Sequence, residues 1–528
     1  MRRKFTQIYY GYPLWFWGIL TVGILLRVAS LWWNDRLLGD VNLFALTARE
    51  YAESGELNYP MKWDYSPNTT WGDLKTPQSQ HPPLWSFMAG LGAKICGTNN
   101  TYLVLQCLSL FSQCMLVFLC FKILSALAGQ IVILGVSLVS LSPMLIDFAG
   151  NGSQYTLGTV FTLATLWLLI RDRYKSKVNL ILSGLCCGLA FCTHGAFILV
   201  IAGAVLSTII YNQGLAKRSW AVSFVLLGYI VAVLPTILFR LEHFGSPTHS
   251  LNGVFFGGVF GKLSLSNDAG GVFWRIDSSW SSSDLIRYFV NCLTVWRKFI
   301  IFLVFELSLP GIILAVIGVF LTLKQRIHGP LVVLIFTSTY LVPILLWPGF
   351  KSRFLASLLP LAIIFICIGT YHFFQESKIG LKWKRIIVGS IFLWFGSSWL
   401  LSLSVTGSAS RYYTFDLVHN KNYQEMIGLV DKMKELERGL VIGAARSLDG
   451  GMEGIYWHGF PYIHARSWVS GEGMNWETVA RIRKDYQAKY FWTDEIMLPK
   501  YEAQLDQLKL MATSGKFRLF QFINLDST

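Results

Sequence analysis

An aspartate standing just beyond a long apolar run is the residue of this chain best placed to do chemistry. Asp40 follows the segment 14–33 and opens the polar stretch Gly39 to Pro83, which ends in Gln80-His81-Pro82-Pro83 and runs on into Leu84-Trp85. A carboxylate at a membrane boundary can take a proton from an attacking hydroxyl or amine, and an ionisable group there points to function. After Asp40, the apolar residues Val41, Phe44, Ala45, Ala48 and Ala52 recur at helical spacing, with Thr47, Arg49, Glu50 and Glu53 on other faces. That spacing predicts an amphipathic helix lying along the membrane and stopping at Gly55. Asp40 would also suit the cap of this helix, and the two roles are compatible.

The elements that must hold Asp40 are membrane helices. The chain is 53% hydrophobic and only 14% charged, more apolar surface than a soluble fold can cover. Its net charge of +15 gathers in short loops, at Arg2-Arg3-Lys4, Arg171 to Lys177, Lys217-Arg218, Lys324-Gln325-Arg326 and Lys378 to Arg385. This distribution is a topology signal with those loops cytoplasmic, and it argues against nucleic acid as the partner. The nine cysteines lie nearly all in apolar segments, and none follows residue 400, which fits buried thiols and neither a disulfide framework nor a metal site. No small-residue cleavage site follows the first apolar run, so it reads as a retained helix.

Spans are expected at 14–33, 101–121, 128–146, 154–170, 178–194, 196–212, 220–240, 297–323, 329–348, 354–374 and 386–404, about eleven crossings. The segment 83–97 is short, and the side assignments of its flanking loops require it to begin and end on one face, as an interfacial or re-entrant helix. Two large outer loops follow, 34–100 and 241–295. The expected architecture is a polytopic all-α membrane domain over 1–405 and a small extracytoplasmic α/β domain over 406–528. In the latter, Asn422 to Arg438 and Asn475 to Lys484 read as helices, and Gly439 to Ala445, Tyr490 to Trp492 and Phe517 to Ile523 as strands. The N-terminus would be cytoplasmic, and the setting a plasma membrane, for which a bacterial inner membrane is the expectation.

Asp40 with its helix, and then His81-Pro82-Pro83-Leu84, resembles the first outer loop of the GT-C glycosyltransferases that use polyprenyl-phosphate sugars. The nearest relatives by motif are the protein O-mannosyltransferases and the lipid A aminoarabinose transferases. Arg240 to Pro247 resembles the start of a later outer loop in that family, and Arg353-Phe354-Leu355 through Pro360 its Arg-aromatic run before a late helix. The resemblance covers residues 1–405 in order. It implies a hexosyl- or pentosyl-transferase acting on the extracytoplasmic face, with a polyprenyl-phosphate or pyrophosphate sugar as donor and a protein, lipid or glycan as acceptor. Asp40 would then be the base, and Arg353, with Lys351 and His81, would hold the lipid phosphate as its charge builds. One base and direct displacement invert the anomeric centre, unlike the two-carboxylate retaining route.

Each helper has a plainer reading. Arg353 and Lys351 follow Pro348-Gly349 at a membrane boundary, where long cations snorkel, and His81 could simply hydrogen-bond its loop. The chain also departs from its relatives: Val41 stands where many carry a second acid, and Ser79-Gln80 where relatives place a carboxylate. A second acid would come from Glu50, Asp64 or Asp73. Asp147 lies in the short outer loop 142–153, where the oligosaccharyltransferase branch places acidic metal ligands; a divalent cation is compatible with this and not required by it. Within the spans, Arg27 is expected in a structural pairing, while Glu306 either lines a donor groove or serves the kink at Pro310. The competing class is a transporter or lipid flippase, which would show internal repeats and mid-membrane charge.

Overall fold

The computed structural model describes residues 14–33, 40–59, 76–77, 82–212, 214–245, 263–268, 271–276, 282–346, 356–376, 380, 382, 386–394, 396–397, 421–433, 435–437, 439–444, 462–464 and 476–523. The chain opens with α1 (Leu14–Trp33), α2 (Asp40–Ser54), a minimal bridge between β1 (Asn58–Tyr59) and β2 (Thr76–Pro77), and α3 (Leu84–Cys96). A run of long helices follows: α4 (Thr101–Leu127), α5 (Val132–Leu141), α6 (Pro143–Gly150), α7 (Gln154–Asp172), α8 (Lys177–Thr193), α9 (Ile198–Tyr211) and α10 (Leu215–Phe244). After a β3 (Leu263–Asp268) and β4 (Gly271–Ile276) hairpin come α11 (Ser282–Gln325), α12 (His328–Leu345) and α13 (Leu359–Glu376).

Among the described residues, four helices are long and apolar enough to cross a bilayer, or five if the bent pair α5 and α6 is one span. Every segment expected to span contains helix, but several helices are shorter than a bilayer needs because breaks interrupt them. Segment 83–97 forms the 13-residue α3, about 20 Å long and too short to cross.

Three kinds of local chemistry cut the helices. Ser142 leaves α5 in an extended conformation, accepts the Leu145 N–H at its side chain, and is followed by Pro143 at the first turn of α6; this cap-plus-proline start bends the pair by 51°. Ser153 and Ser176 cap α7 and α8 in the same way. Within α11, Ser308 takes a left-handed φ of 65° two residues before Pro310, so the element is two helices meeting at a break.

The membrane part shares one large apolar cluster running from Leu116 on α4 through Leu163, Phe197, Val332 and Phe336 to Ile363 and Cys367 on α13. Close crossings depend on glycine. A Cβ on Gly184 of α8 would run into the Val225 carbonyl oxygen of α10, and one on Gly228 of α10 into the Ile181 carbonyl oxygen. Gly318 and Gly369 let α11 and α13 approach equally closely. In lipid, where burying apolar surface gives little drive for association, such backbone contact supplies the packing.

The C-terminal residues form α14 (Lys421–Met433), α15 (Trp476–Tyr486) and a five-stranded sheet of β5 (Val441–Ala444), β6 (Tyr462–His464), β7 (Tyr490–Asp494), β8 (Leu508–Ser514) and β9 (Phe517–Phe522) in the order β6-β5-β7-β9-β8. β5 runs parallel to both β6 and β7, and β9 is antiparallel to β7 and β8. Ile442, Phe491, Phe520 and Phe522 close its core against Val479, Ile482 and Tyr501. The helices and strands expected from periodicity in the C-terminal part are all present, and β6, β8 and the β3–β4 hairpin are additional to them.

Gly184→Leu should destabilise the protein, because the α8–α10 backbones must separate to admit the side chain; overpacking of this kind costs about 1–3 kcal/mol or more. A lower melting temperature in detergent is expected, and an unchanged one would contradict the packing at this crossing.

Candidate active site

The site is built around the turn between α6 and α7. Its geometry starts from Arg27, which is buried on α1. Nη1 donates to the carbonyls of Gly23, at 3.0 Å, and Ser140, and Nη2 donates to the carbonyl of Val139 at 2.9 Å. The last carbonyls of α5 thus find their donors on a neighbouring helix, which meets the expected structural role of Arg27 with backbone oxygens instead of a carboxylate. On the far side of the break, a Cβ on Gly150 would collide with Ser30 of α1. α1 therefore fixes both ends of the bend, and with it the direction of α6.

The turn itself is gripped by three side chains from two more helices. Trp85 Nε1 of α3 donates to the Gly152 carbonyl at 3.0 Å, Gln106 Nε2 of α4 to that of Gly150 at 2.6 Å, and Ser109 Oγ to that of Phe148 at 2.5 Å. Gly152 has φ +72° and lies against Leu105 and Val41. Asn151 makes an Asx turn, accepting the Ser153 N–H at its Oδ1 at 2.9 Å.

Val41 carries the connection to Asp40. The apolar face foreseen for α2 is real: Val41, Phe44, Ala45 and Ala48 pack with Trp85, Ala89, Leu105 and Leu157. Asp40 is the first residue of α2, and its neighbour Val41 rests on the turn that follows Asp147. The first turn of α2 and the α6–α7 turn are therefore adjacent, and Asp147 is buried on α6. The Asp40 side chain lies outside the described residues, as do all of Asp64, Asp73, His81, Lys351 and Arg353. Glu50 is buried on the same helix, about 15 Å along it from Asp40.

One residue approaches Asp147 from a distant part of the chain. Glu306, just before the break of α11, is buried within electrostatic reach of Asp147, and among the described residues its Oε2 has no hydrogen-bond partner. Asn151 Nδ2 and Gln154 Nε2 are likewise buried donors without partners. The Glu306–Asp147 proximity has no sequence signal beyond the rarity of an acid in a span. Among the described residues, no group of three or more His, Cys, Asp and Glu side chains could hold a metal ion.

Around this centre, Tyr155 Oη and His194 Nε2 are 3.1 Å apart, and His194 Nδ1 accepts the Ala196 N–H at 3.1 Å. The acceptor role of Nδ1 places the ring proton on Nε2, which donates to Tyr155. Sequence reading passed over His194; its signal was the helix break at Thr193-His194-Gly195. Thr159 Oγ1 of α7 donates to Ser357 Oγ at 2.8 Å, which ties α7 to the segment just after Arg353. Arg240 is buried with its guanidinium 5.7 Å from the Phe191 ring centroid, and no described carboxylate lies within ion-pair distance of it.

Residues 80–239 match the family described as dolichyl-phosphate-mannose-protein mannosyltransferase. No curated protein sequence matches the chain. Among solved structures, ArnT from Cupriavidus metallidurans bound to undecaprenyl phosphate is 11% identical with a TM-score of 0.63, covering 97% of this chain and 98% of that one. The apo state of that protein gives 12% identity and a TM-score of 0.59, with 96% and 98% covered. The archaeal oligosaccharyltransferase AglB from Archaeoglobus fulgidus, in complex with an inhibitory peptide and a dolichol-phosphate, is 13% identical with a TM-score of 0.56, covering 92% of this chain and 70% of that one. At these identities the likeness is one of fold, and it extends through the C-terminal sheet as well as the helices.

Trp85→Phe keeps the packing of α3 but removes the bond to Gly152, which should cost about 1 kcal/mol. A melting temperature lower by a few degrees is the expected outcome; an unchanged one would show that Trp85 does not anchor the turn.

Proposed function

From the match of residues 80–239 to the dolichyl-phosphate-mannose-protein mannosyltransferase family and a fold like those of ArnT and AglB, we propose that this is a GT-C glycosyltransferase that moves a sugar from a polyprenyl-phosphate or pyrophosphate donor to an acceptor on the extracytoplasmic face, with inversion. The observation that carries this reading is the meeting of two turns from distant parts of the chain: the start of α2 at Asp40 and the α6–α7 turn beside Asp147. ArnT and AglB, bound to undecaprenyl phosphate and dolichol-phosphate respectively, support a lipid phosphate as the donor's carrier.

In this proposal Asp40 accepts the proton of an acceptor hydroxyl or amine as that atom bonds to the anomeric carbon. The bond from that carbon to the phosphate oxygen breaks, and the lipid phosphate leaves with the electron pair. It is already stable as an anion, so no general acid is needed; positive charge is, and Arg353, Lys351 and His81 supply it. Arg353 lies four residues before Ser357, which bonds to Thr159 of α7, and this sequence proximity supports its role in the reaction. Asp147 is the second acid of the site. The unpartnered Asn151 and Gln154 amide groups suit sugar hydroxyls, which would satisfy donors that are otherwise expensive to bury. Glu50, about 15 Å along α2 from Asp40, is then remote from the chemistry.

The domain division proposed with this function places 1–405 in the membrane with the reaction and 406–528 outside it as a recognition or capping unit. The N-terminus is cytoplasmic in this arrangement, with the basic loops on the same side.

Transfer from radiolabelled polyprenyl-phosphate sugars by the purified protein tests the reading. Asp40→Asn should insert and fold normally while losing at least about 100-fold in turnover, the usual worth of a positioned base; wild-type turnover in this variant would refute the assignment. Arg353→Ala should raise the donor KM much more than the acceptor KM, and an unchanged donor KM would remove Arg353 from the phosphate site.

A further inference from the structure

A second site lies away from this chemistry, between α1 and α4. Phe16, Trp17, Leu20, Gly23 and Ile24 of α1 face Cys114, Val117, Phe118 and Phe121 of α4 across a cavity of about 250 Å³, with Val136 and Ser140 of α5 behind and Arg27 at one end. The walls are almost wholly apolar. The groove opens sideways, because Trp17, Ile24 and Phe118 on its rim are 47%, 50% and 48% exposed on the face that membrane helices turn to lipid.

Its dimensions select an occupant. From Phe16 to Arg27 the helix rises roughly 16 Å, close to half of a hydrocarbon core about 30 Å thick. That is the depth of one leaflet. Phe16 lies at the end of α1 opposite Asp40, so the groove belongs to the leaflet away from the transfer site. At the Phe16 end, Lys122 Nζ stands 5.2 Å from the Phe118 ring centroid, which puts a cation at the mouth. Loop charges assign that mouth to the cytoplasmic face, where anionic lipids concentrate.

We propose that this groove binds one anionic phospholipid of the cytoplasmic leaflet, an acyl chain lying between α1 and α4 and its headgroup phosphate at Lys122. A hydrocarbon chain there packs against the apolar side chains beside the already buried Arg27, which holds the Val139 and Ser140 carbonyls. The lipid would then act as part of the packing that sets the α5–α6 bend, and it does so whether or not the chain transfers sugars. A polyprenyl phosphate whose headgroup sits near Asp40 enters from the other leaflet, which disfavours it as the occupant.

The test uses the full-length protein in detergent. Native mass spectrometry should find one phospholipid per chain that survives delipidation, and added phosphatidylglycerol should raise the melting temperature by several degrees, phosphatidylcholine and undecaprenyl phosphate much less. Val117→Trp fills the groove and should abolish both retention and the shift. Lys122→Glu leaves the apolar walls intact and should erase the preference for phosphatidylglycerol over phosphatidylcholine. Should Val117→Trp not fold, the wild-type preference and its loss in Lys122→Glu decide the matter. No retained lipid, equal shifts from all three lipids, displacement of phosphatidylglycerol by undecaprenyl phosphate, or a preference that survives Lys122→Glu would each overturn the proposal.

Discussion

A buried guanidinium bonded to the open end of a helix holds the molecule's centre in place. Arg27 lies among apolar helices, where a charge without partners would be prohibitive. It resolves this by donating to Val139 and Ser140, the carbonyls that α5 leaves exposed where it breaks, and to Gly23 within its own helix. Each partner solves the other's problem. The carbonyl end of α5 carries partial negative charge that needs donors, and the arginine needs acceptors that cost little to bury. Because Ser142 and Pro143 prevent α5 from continuing straight, α6 leaves at an angle that α1 fixes from both sides.

The consequences reach the α6–α7 turn. Trp85, Gln106 and Ser109 satisfy three successive carbonyl regions at the end of α6, so a piece of irregular backbone is fully supported by surrounding helices. Irregular backbone at membrane depth survives only on those terms. Beside this rigid part stand polar groups that have no hydrogen-bond partner among the described residues, on Glu306, Asn151 and Gln154. A protein that satisfies the backbone so thoroughly while leaving these side chains unpaired has a polar centre suited to a polar guest. The left-handed Ser308 next to Glu306 belongs to the same region, and strained residues of this kind gather where geometry matters more than local stability.

Much of this arrangement follows from local patterns. The apolar spacing of α2 predicts the face that packs on Trp85 and Leu105, and Asn422 to Arg438 predicts α14, because amphipathic periodicity is a property of neighbouring residues. The span expected over 128–146 is broken at Ser142-Pro143, a break signal lying inside an apolar run of bilayer length. The strands β6 and β8 escaped because β6 is only three residues long and the faces of β8 do not alternate cleanly.

By itself the sequence determined that this is a multi-helix membrane chain with a folded C-terminal part, that an amphipathic helix begins at Asp40, and that a structural arginine sits in the first span. These depend on composition and on spacings of a few residues. Only tertiary structure decided that Asp147 comes within electrostatic reach of Glu306, that His194 meets Tyr155, that Val41 lies on Gly152, and that Arg27 is answered by backbone carbonyls. Such pairs lie far apart along the chain, and their approach is set by glycine crossings and helix breaks whose angles no periodicity encodes.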